Sequence, residues 1–230
     1  MARGFRILRQ FFVFFLLTLA LSAPAAHADE MLAARLQASA PDLDPKVLLL
    51  ALDALHCANE SGLPASGRLA VIDYSLPSTQ ERLWVFDLEK SALLFHELVA
   101  HGRNTGANLA TTFSNKLNSH ASSLGLFRTG ESYTGSNGYS MRMEGLEPGV
   151  NDKAMERAIV MHGAPYVNEE VAGKLGRLGR SWGCPAVRAG VAKQMIDTLK
   201  GGHFLFSYYP DQQWLSSSRF LNCPARTASR

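Results

Sequence analysis

From Arg68 onward the chain is cut into short runs of β-branched, aliphatic and aromatic residues. Arg68–Tyr74, Arg82–Asp87, Ala92–His101, Leu124–Thr129, Ser140–Leu146 and Ala158–His162 are each followed by clusters of Gly, Pro, Asn or Ser, and His203–Tyr209 makes a last run. Runs of this length with turn-formers between them predict strands. Helical signals are confined to two stretches. Residues 45–58 read as a helix with Asp44 as N-cap, Pro45 in the first turn and Gly62 beyond the end, and 189–200 reads as another. There is no βαβ alternation, no repeat and no low-complexity segment, which argues against a Rossmann fold or a TIM barrel. The prediction is a mainly β, α+β chain: a β-sandwich of antiparallel or mixed sheets with peripheral helices, the N-terminal helix packed on it.

The first 28 residues have a different character. Arg3, Arg6 and Arg9 precede an uncharged run from Phe11 to Leu21, which leads to small residues and Ala26-His27-Ala28. That is the order of a secretory signal peptide, with cleavage expected after Ala28 and a destination outside the cytoplasm, periplasmic or secreted. Eleven residues span about 16 Å as a helix, roughly half a bilayer core, so an uncleaved anchor and a stable membrane span are not expected. The segment holds three of the 23 basic residues and none of the 20 acidic ones, so the whole formal excess of +3 lies in it. The 202 residues that remain are formally neutral and carry no basic surplus for nucleic acid.

Export places Cys57, Cys184 and Cys223 in an oxidising compartment, where an odd count leaves one thiol unpaired or used between chains. The simplest partition pairs Cys57 with Cys223 and keeps Cys184 for chemistry; three unrelated buried thiols are the alternative. Cys184 lies in the Gly- and Pro-punctuated loop Gly-Arg-Ser-Trp-Gly-Cys-Pro. A cysteine nucleophile needs a base to become a thiolate near neutral pH, and backbone N–H groups to hold the developing oxyanion. Two histidines qualify, because His162-Gly163 and His101-Gly102 each end an apolar strand before a glycine. His96-Glu97-Leu98-Val99-Ala100-His101 imitates a zinc-protease helix, but its histidines are five apart. They would sit about 140° apart on a helix and on opposite faces of a strand, so they do not share a metal. His56 reads as a structural histidine, and His120 and His203 show no partner in the sequence.

Ile159-Val160-Met161-His162-Gly163, followed by Gly179-Arg180-Ser181-Trp182-Gly183-Cys184-Pro185-Ala186-Val187, resembles the L,D-transpeptidase catalytic domain, the YkuD-like family of peptidoglycan cross-linking enzymes. Ser122-Ser123-Leu124-Gly125-Leu126-Phe127 is similar to the family's upstream Thr-Pro-x-Gly-x-Phe segment. Ile72-Asp73-Tyr74, Val99-Ala100-His101-Gly102-Arg103 and Phe113-Ser114-Asn115 resemble the divergent branch of murein L,D-transpeptidase catalytic domain proteins. The resemblance runs from about Arg68 to Tyr209. With the export signal at 1–28, the chain then divides into an N-terminal helical segment at 29–65, a catalytic domain at 66–210 that carries the resemblance, and a C-terminal tail at 211–230.

The resemblance also implies a mechanism. Cys184 would attack the carbonyl that joins the L-centre of meso-diaminopimelate to the terminal D-alanine of a stem tetrapeptide. His162 would be the general base, oriented by the Gly163 carbonyl, and the Gly183 and Cys184 amides would form the oxyanion hole. An amine acceptor would resolve the thioester into a 3–3 cross-link, whereas water would make the chain a carboxypeptidase or a hydrolase of diaminopimelate-linked bonds. A wall-binding protein without turnover is the reading of a different class. No metal or organic cofactor is implied, and stem peptides are the expected partners. Three positions depart from the family: Trp182 replaces its histidine, Ala186 replaces a basic or amide residue, and Ser123 replaces its proline. Arg180 or Arg188 would then supply the missing contact, with Ser181, Trp182 and Tyr166 as the other candidate substrate-binding residues.

Overall fold

The computed structural model describes residues 24–223. The expected export signal therefore lies outside the described residues, except for its last five, and the tail beyond Cys223 lies outside them too. Helices α1 (Pro24–Ser39) and α2 (Pro45–Glu60) precede strands β1 (Arg68–Asp73), β2 (Glu81–Asp87), β3 (Ala92–Ala100), β4 (Gly125–Gly135), β5 (Gly138–Gly145) and β6 (Val160–Ala164). Then come α3 (Glu169–Leu175), β7 (Ala186–Arg188), α4 (Ala189–Leu199), β8 (Phe204–Tyr208) and α5 (Gln212–Ser217).

The fold is mainly β with peripheral helices, and the sheet is mixed, as expected. Its layers are joined at both edges: the strands close into a barrel in the order β1-β2-β3-β7-β6-β5-β4-β8. Closure removes the open edges that would otherwise offer unpaired N–H and C=O groups to another chain. Two pairs are parallel, β1 with β8 and β6 with β7, and the rest are antiparallel. The β6-α3-β7 unit is a short parallel crossover that the strand pattern does not announce, because β7 is only three residues long.

Period-two alternation explains why β1, β2 and β8 are buried on both faces. Ala70, Ile72, Leu83, Val85 and Leu205 join a cluster inside the barrel, with Met161, Met195 and Ile196. Leu69, Val71, Trp84, Phe86, Phe204 and Phe206 form a second cluster on the outside. Over it lie Val47, Leu48, Ala51 and Leu55 of α2. A face that looks surplus to a two-layer sheet is thus the seat of the N-terminal helices. The α2 start follows its sequence signals, Asp44 accepting from the Lys46 N–H at 2.8 Å with Pro45 at the first position. Cys57, near the end of α2, is joined to Cys223 in a disulfide with the Cα atoms 5.9 Å apart, which ties the C-terminal segment to that helix.

Candidate active site

Parallel pairing of β6 with β7 sets His162 opposite Ala186. Counting back two residues on each strand brings Cys184 beside Val160, and the Val160 N–H donates to the Cys184 Sγ at 3.4 Å. The thiol in turn donates to the Ala158 carbonyl at 3.8 Å. Ala158 takes φ +52°, a left-handed conformation that a non-glycine residue adopts at a cost, and it bends the chain just before β6. Cys184 is the free cysteine among the described residues and is buried.

The loop before Cys184 is held by hydroxyls. Ser181 Oγ accepts from the Gly183 N–H at 3.0 Å and donates to the Cys184 carbonyl at 2.6 Å, closing a tight turn. The Gly183 amide, expected to face an oxyanion, therefore has Ser181 as its partner here. The Ser181 backbone bonds to the His101 carbonyl and to the Arg103 N–H, which lays the loop along the segment after β3. Ser122 Oγ accepts from the Gly102 N–H at 3.0 Å and donates to the Gly183 carbonyl at 3.1 Å. The serine-rich segment before β4 is thus a strut for the cysteine loop.

His162 lies two residues beyond Val160, on the same side of β6. Its Nδ1 is 3.0 Å from the Gly163 carbonyl, and because a carbonyl only accepts, Nδ1 carries the proton and Nε2 keeps its lone pair. Burial pushes the imidazole below its ordinary value, against the Gly163 bond, so it is neutral at pH 7. Burial pushes the Cys184 thiol up, while the Val160 N–H and the charge of Arg157 pull it down. The resting pair is a neutral thiol and a neutral imidazole. The other candidate base is committed elsewhere. His101 Nδ1 accepts from Arg82 at 2.8 Å, and its Nε2 donates to the carbonyls of Gly106 and Ala107. Burial and then the Arg82 charge push His101 down to about 4. His96 lies apart, stacked on Trp84 with ring centroids 4.8 Å apart.

The remaining candidates fall into two groups. Tyr166 is half-buried, and its hydroxyl is pushed up to about 12, by burial first and then by Cys184, which places it within electrostatic reach of the thiol. Trp182 stands 68% exposed beside the cysteine loop, with His120 stacked on it at 4.9 Å and the Arg103 guanidinium 6.0 Å from its ring centroid. The arginines are engaged by the protein. Arg180 donates to the Arg103 and Gly106 carbonyls, and Arg188 makes a two-pronged bond with buried Glu97, both prongs at 2.7 Å. Ala186 is fully buried and lines no surface.

Sequence reasoning overlooked Arg157. Its guanidinium donates to the Ser114 carbonyl, Ser123 Oγ, Ser119 Oγ and the Ala121 carbonyl. An arginine in Glu-Arg-Ala looks like an ordinary solvated charge, and no spacing rule marks it.

A family model described as L,D-transpeptidase catalytic domain matches residues 39–208, a span that takes in α2 as well as the barrel. Among solved structures, an L,D-transpeptidase from Mycobacterium smegmatis is 13% identical, covering 63% of this chain and 60% of that one, with a TM-score of 0.40. An L,D-transpeptidase from Stackebrandtia nassauensis is 13% identical, covering 77% and 76%, with a TM-score of 0.37. The helical cell shape determining protein of Campylobacter jejuni is 11% identical, covering 69% and 57%, with a TM-score of 0.40. The chain spans about 60% of the length of the mycobacterial structures it matches. No curated protein matches it.

Proposed function

The chain belongs to the L,D-transpeptidase catalytic domain family, and on that premise we propose that it is an exported peptidoglycan L,D-transpeptidase with Cys184 as nucleophile and His162 as general base. The observation that carries this reading is the pairing of β6 with β7. It sets a buried free thiol beside Val160 and an imidazole with a free Nε2 two residues further along the same strand.

In the first half-reaction the thiol proton passes to His162 Nε2 while Sγ attacks the carbonyl between the L-centre of diaminopimelate and D-alanine. The C–N bond breaks, D-alanine leaves with the proton from His162, and a Cys184 thioester remains. In the second, an amine of another stem attacks the thioester and gives a proton to His162, and the thiol is regenerated as the 3–3 amide forms. The oxyanion needs N–H donors. The Cys184 N–H, which lies against its own Sγ in the resting chain, would turn to the oxyanion, and the Gly183 N–H would have to exchange Ser181 Oγ for substrate. Trp182 then offers an aromatic wall at the mouth of the site, where the family's histidine stands.

Carbapenems acylate members of this family and give a direct test. The wild-type protein is expected to gain the mass of one carbapenem on Cys184, and Cys184→Ala to gain none. Acylation retained in that variant would overturn the assignment.

A further inference from the structure

We propose that Arg157 is a positioning residue that supplies the local positive charge for the Cys184 thiolate while pinning the loop that packs against Gly183. The inference deepens the reading above and rests on Cys184 being the nucleophile. No family motif contains this arginine; the argument is one of placement.

Arg157 immediately precedes Ala158 and lies three residues before Val160, whose carbonyl and N–H respectively are the hydrogen-bond partners of Sγ. Its four acceptors lie within residues 114–123. One of them, the Ala121 carbonyl, lies 2.7 Å from where a Gly183 Cβ would stand, and Arg157 Nη2 lies 3.3 Å from the same point. The guanidinium is therefore wedged behind the residue that precedes the nucleophile. His120, between Ser119 and Ala121 of the pinned loop, stacks on Trp182, the residue before Gly183. One side chain thus holds the backbone on which the thiol rests and the loop that bears on the aromatic wall.

Every acceptor of Arg157 is neutral, and among the described residues no carboxylate forms an ion pair with it. Among the groups within electrostatic reach of the thiol are Arg157, Tyr74 and Tyr166, and His162 lies along the same strand. Burial pushes both tyrosines up to about 12, so they are neutral near pH 7, as is His162. Arg157 is then the cation of this set. A buried thiolate next to one positive charge is stabilised, and removing that charge raises the pH at which the thiolate forms. A guanidinium suits the task because its planar fork satisfies several acceptors and keeps its proton at every working pH.

The test is the pH dependence of Cys184 alkylation by iodoacetamide in the oxidised chain. It needs no peptidoglycan, so its failure is distinct from failure of the transpeptidase reading. Arg157→Gln and Arg157→Met are expected to raise the alkylation midpoint by about one pH unit, which slows alkylation about tenfold at pH values below both midpoints. Arg157→Lys keeps the charge and is expected to keep the wild-type midpoint, while its fewer donors let the amides of 119–121 exchange faster. Lys153→Gln, which removes an exposed cation from the same β5–β6 connection as Arg157, is expected to leave both unchanged. Near-UV circular dichroism selects the folded variants. A folded Gln or Met variant with the wild-type midpoint would overturn the proposal, as would a Lys variant that shifts as far as Gln. Should neither neutral variant fold, Arg157 is a structural residue and the claim about reactivity fails.

Discussion

At Gly183 the backbone takes φ +120°, and a Cβ there would stand 2.7 Å from the Ala121 carbonyl and 3.0 Å from Ile159 Cδ1. Both facts demand glycine: the conformation strains any L side chain, and the nearest neighbour is backbone that cannot swing aside. The same turn lets Ser181 Oγ reach the Gly183 N–H and the Cys184 carbonyl together. Gly183→Ala is therefore expected to leave the barrel folded but to displace Sγ from Val160 and slow carbapenem acylation at least about tenfold, since small misplacements of a reacting atom are costly. Acylation at the wild-type rate would contradict this. Cys184 is marked in the sequence by the glycine before it, but a glycine follows His101 as well as His162, so the residues alone leave two bases open and only the family resemblance singles out His162. Arg157 is not legible, because its importance lies in which carbonyls the 114–123 loop turns toward it. That is a tertiary fact with no sequence spacing of its own.

At the scale of elements, the long strands are legible and the short ones are not. Unbroken runs of strand-forming residues mark β1 and β8, whereas Ala186–Arg188 of β7 is too brief to stand out, although it fixes the register that brings Cys184 beside Val160. The α3 helix is similarly hidden in seven residues, with Asn168 capping its start and Gly176 at φ 65° ending it. The segment after β3 depends on an interaction with a pH signature. His101, whose acceptor nitrogen is taken by Arg82 and whose donor is taken by Gly106 and Ala107, is neutral in the folded chain, with its value lowered from 6.5 to about 4. The unfolded chain takes up a proton near 6.5 and the folded chain does not, so the His101 contribution is full above 6.5 and is lost as pH falls toward 4. The loss is on the order of 3 kcal/mol. His101→Gln is expected to flatten the fall of denaturation midpoint between pH 6.5 and 4. A variant with the wild-type slope would contradict the neutral, buried histidine. Buried Asp73 and Glu147, both pushed up by burial, contribute with the opposite sign, which is why the comparison between variants is the informative one.

For the molecule as a whole, the mixed β architecture is legible from the run lengths, but its closure into a barrel is not. Closure depends on β1 meeting β8 in parallel across more than 130 residues of sequence, and on the three residues of β7 bridging β3 and β6. The outside of β1, β2 and β8 is covered by α2, and the Cys57–Cys223 link holds the chain's far end to that helix. The result is a closed frame whose free, buried thiol sits where two parallel strands begin side by side. Among the described residues, no helix is long and apolar enough to cross a membrane. The central claim is that this frame serves acyl transfer from a stem peptide through Cys184. The most direct measurement is mass spectrometry of disaccharide-tetrapeptides incubated with residues 29–230 and with the Cys184→Ala variant. The account predicts 3–3 dimers and released D-alanine with the wild-type chain and unchanged tetrapeptide with the variant. Tripeptide without dimers would replace the transferase by a hydrolase on the same thioester, and tetrapeptide left intact by the wild-type chain, or dimers formed by the variant, would contradict the account.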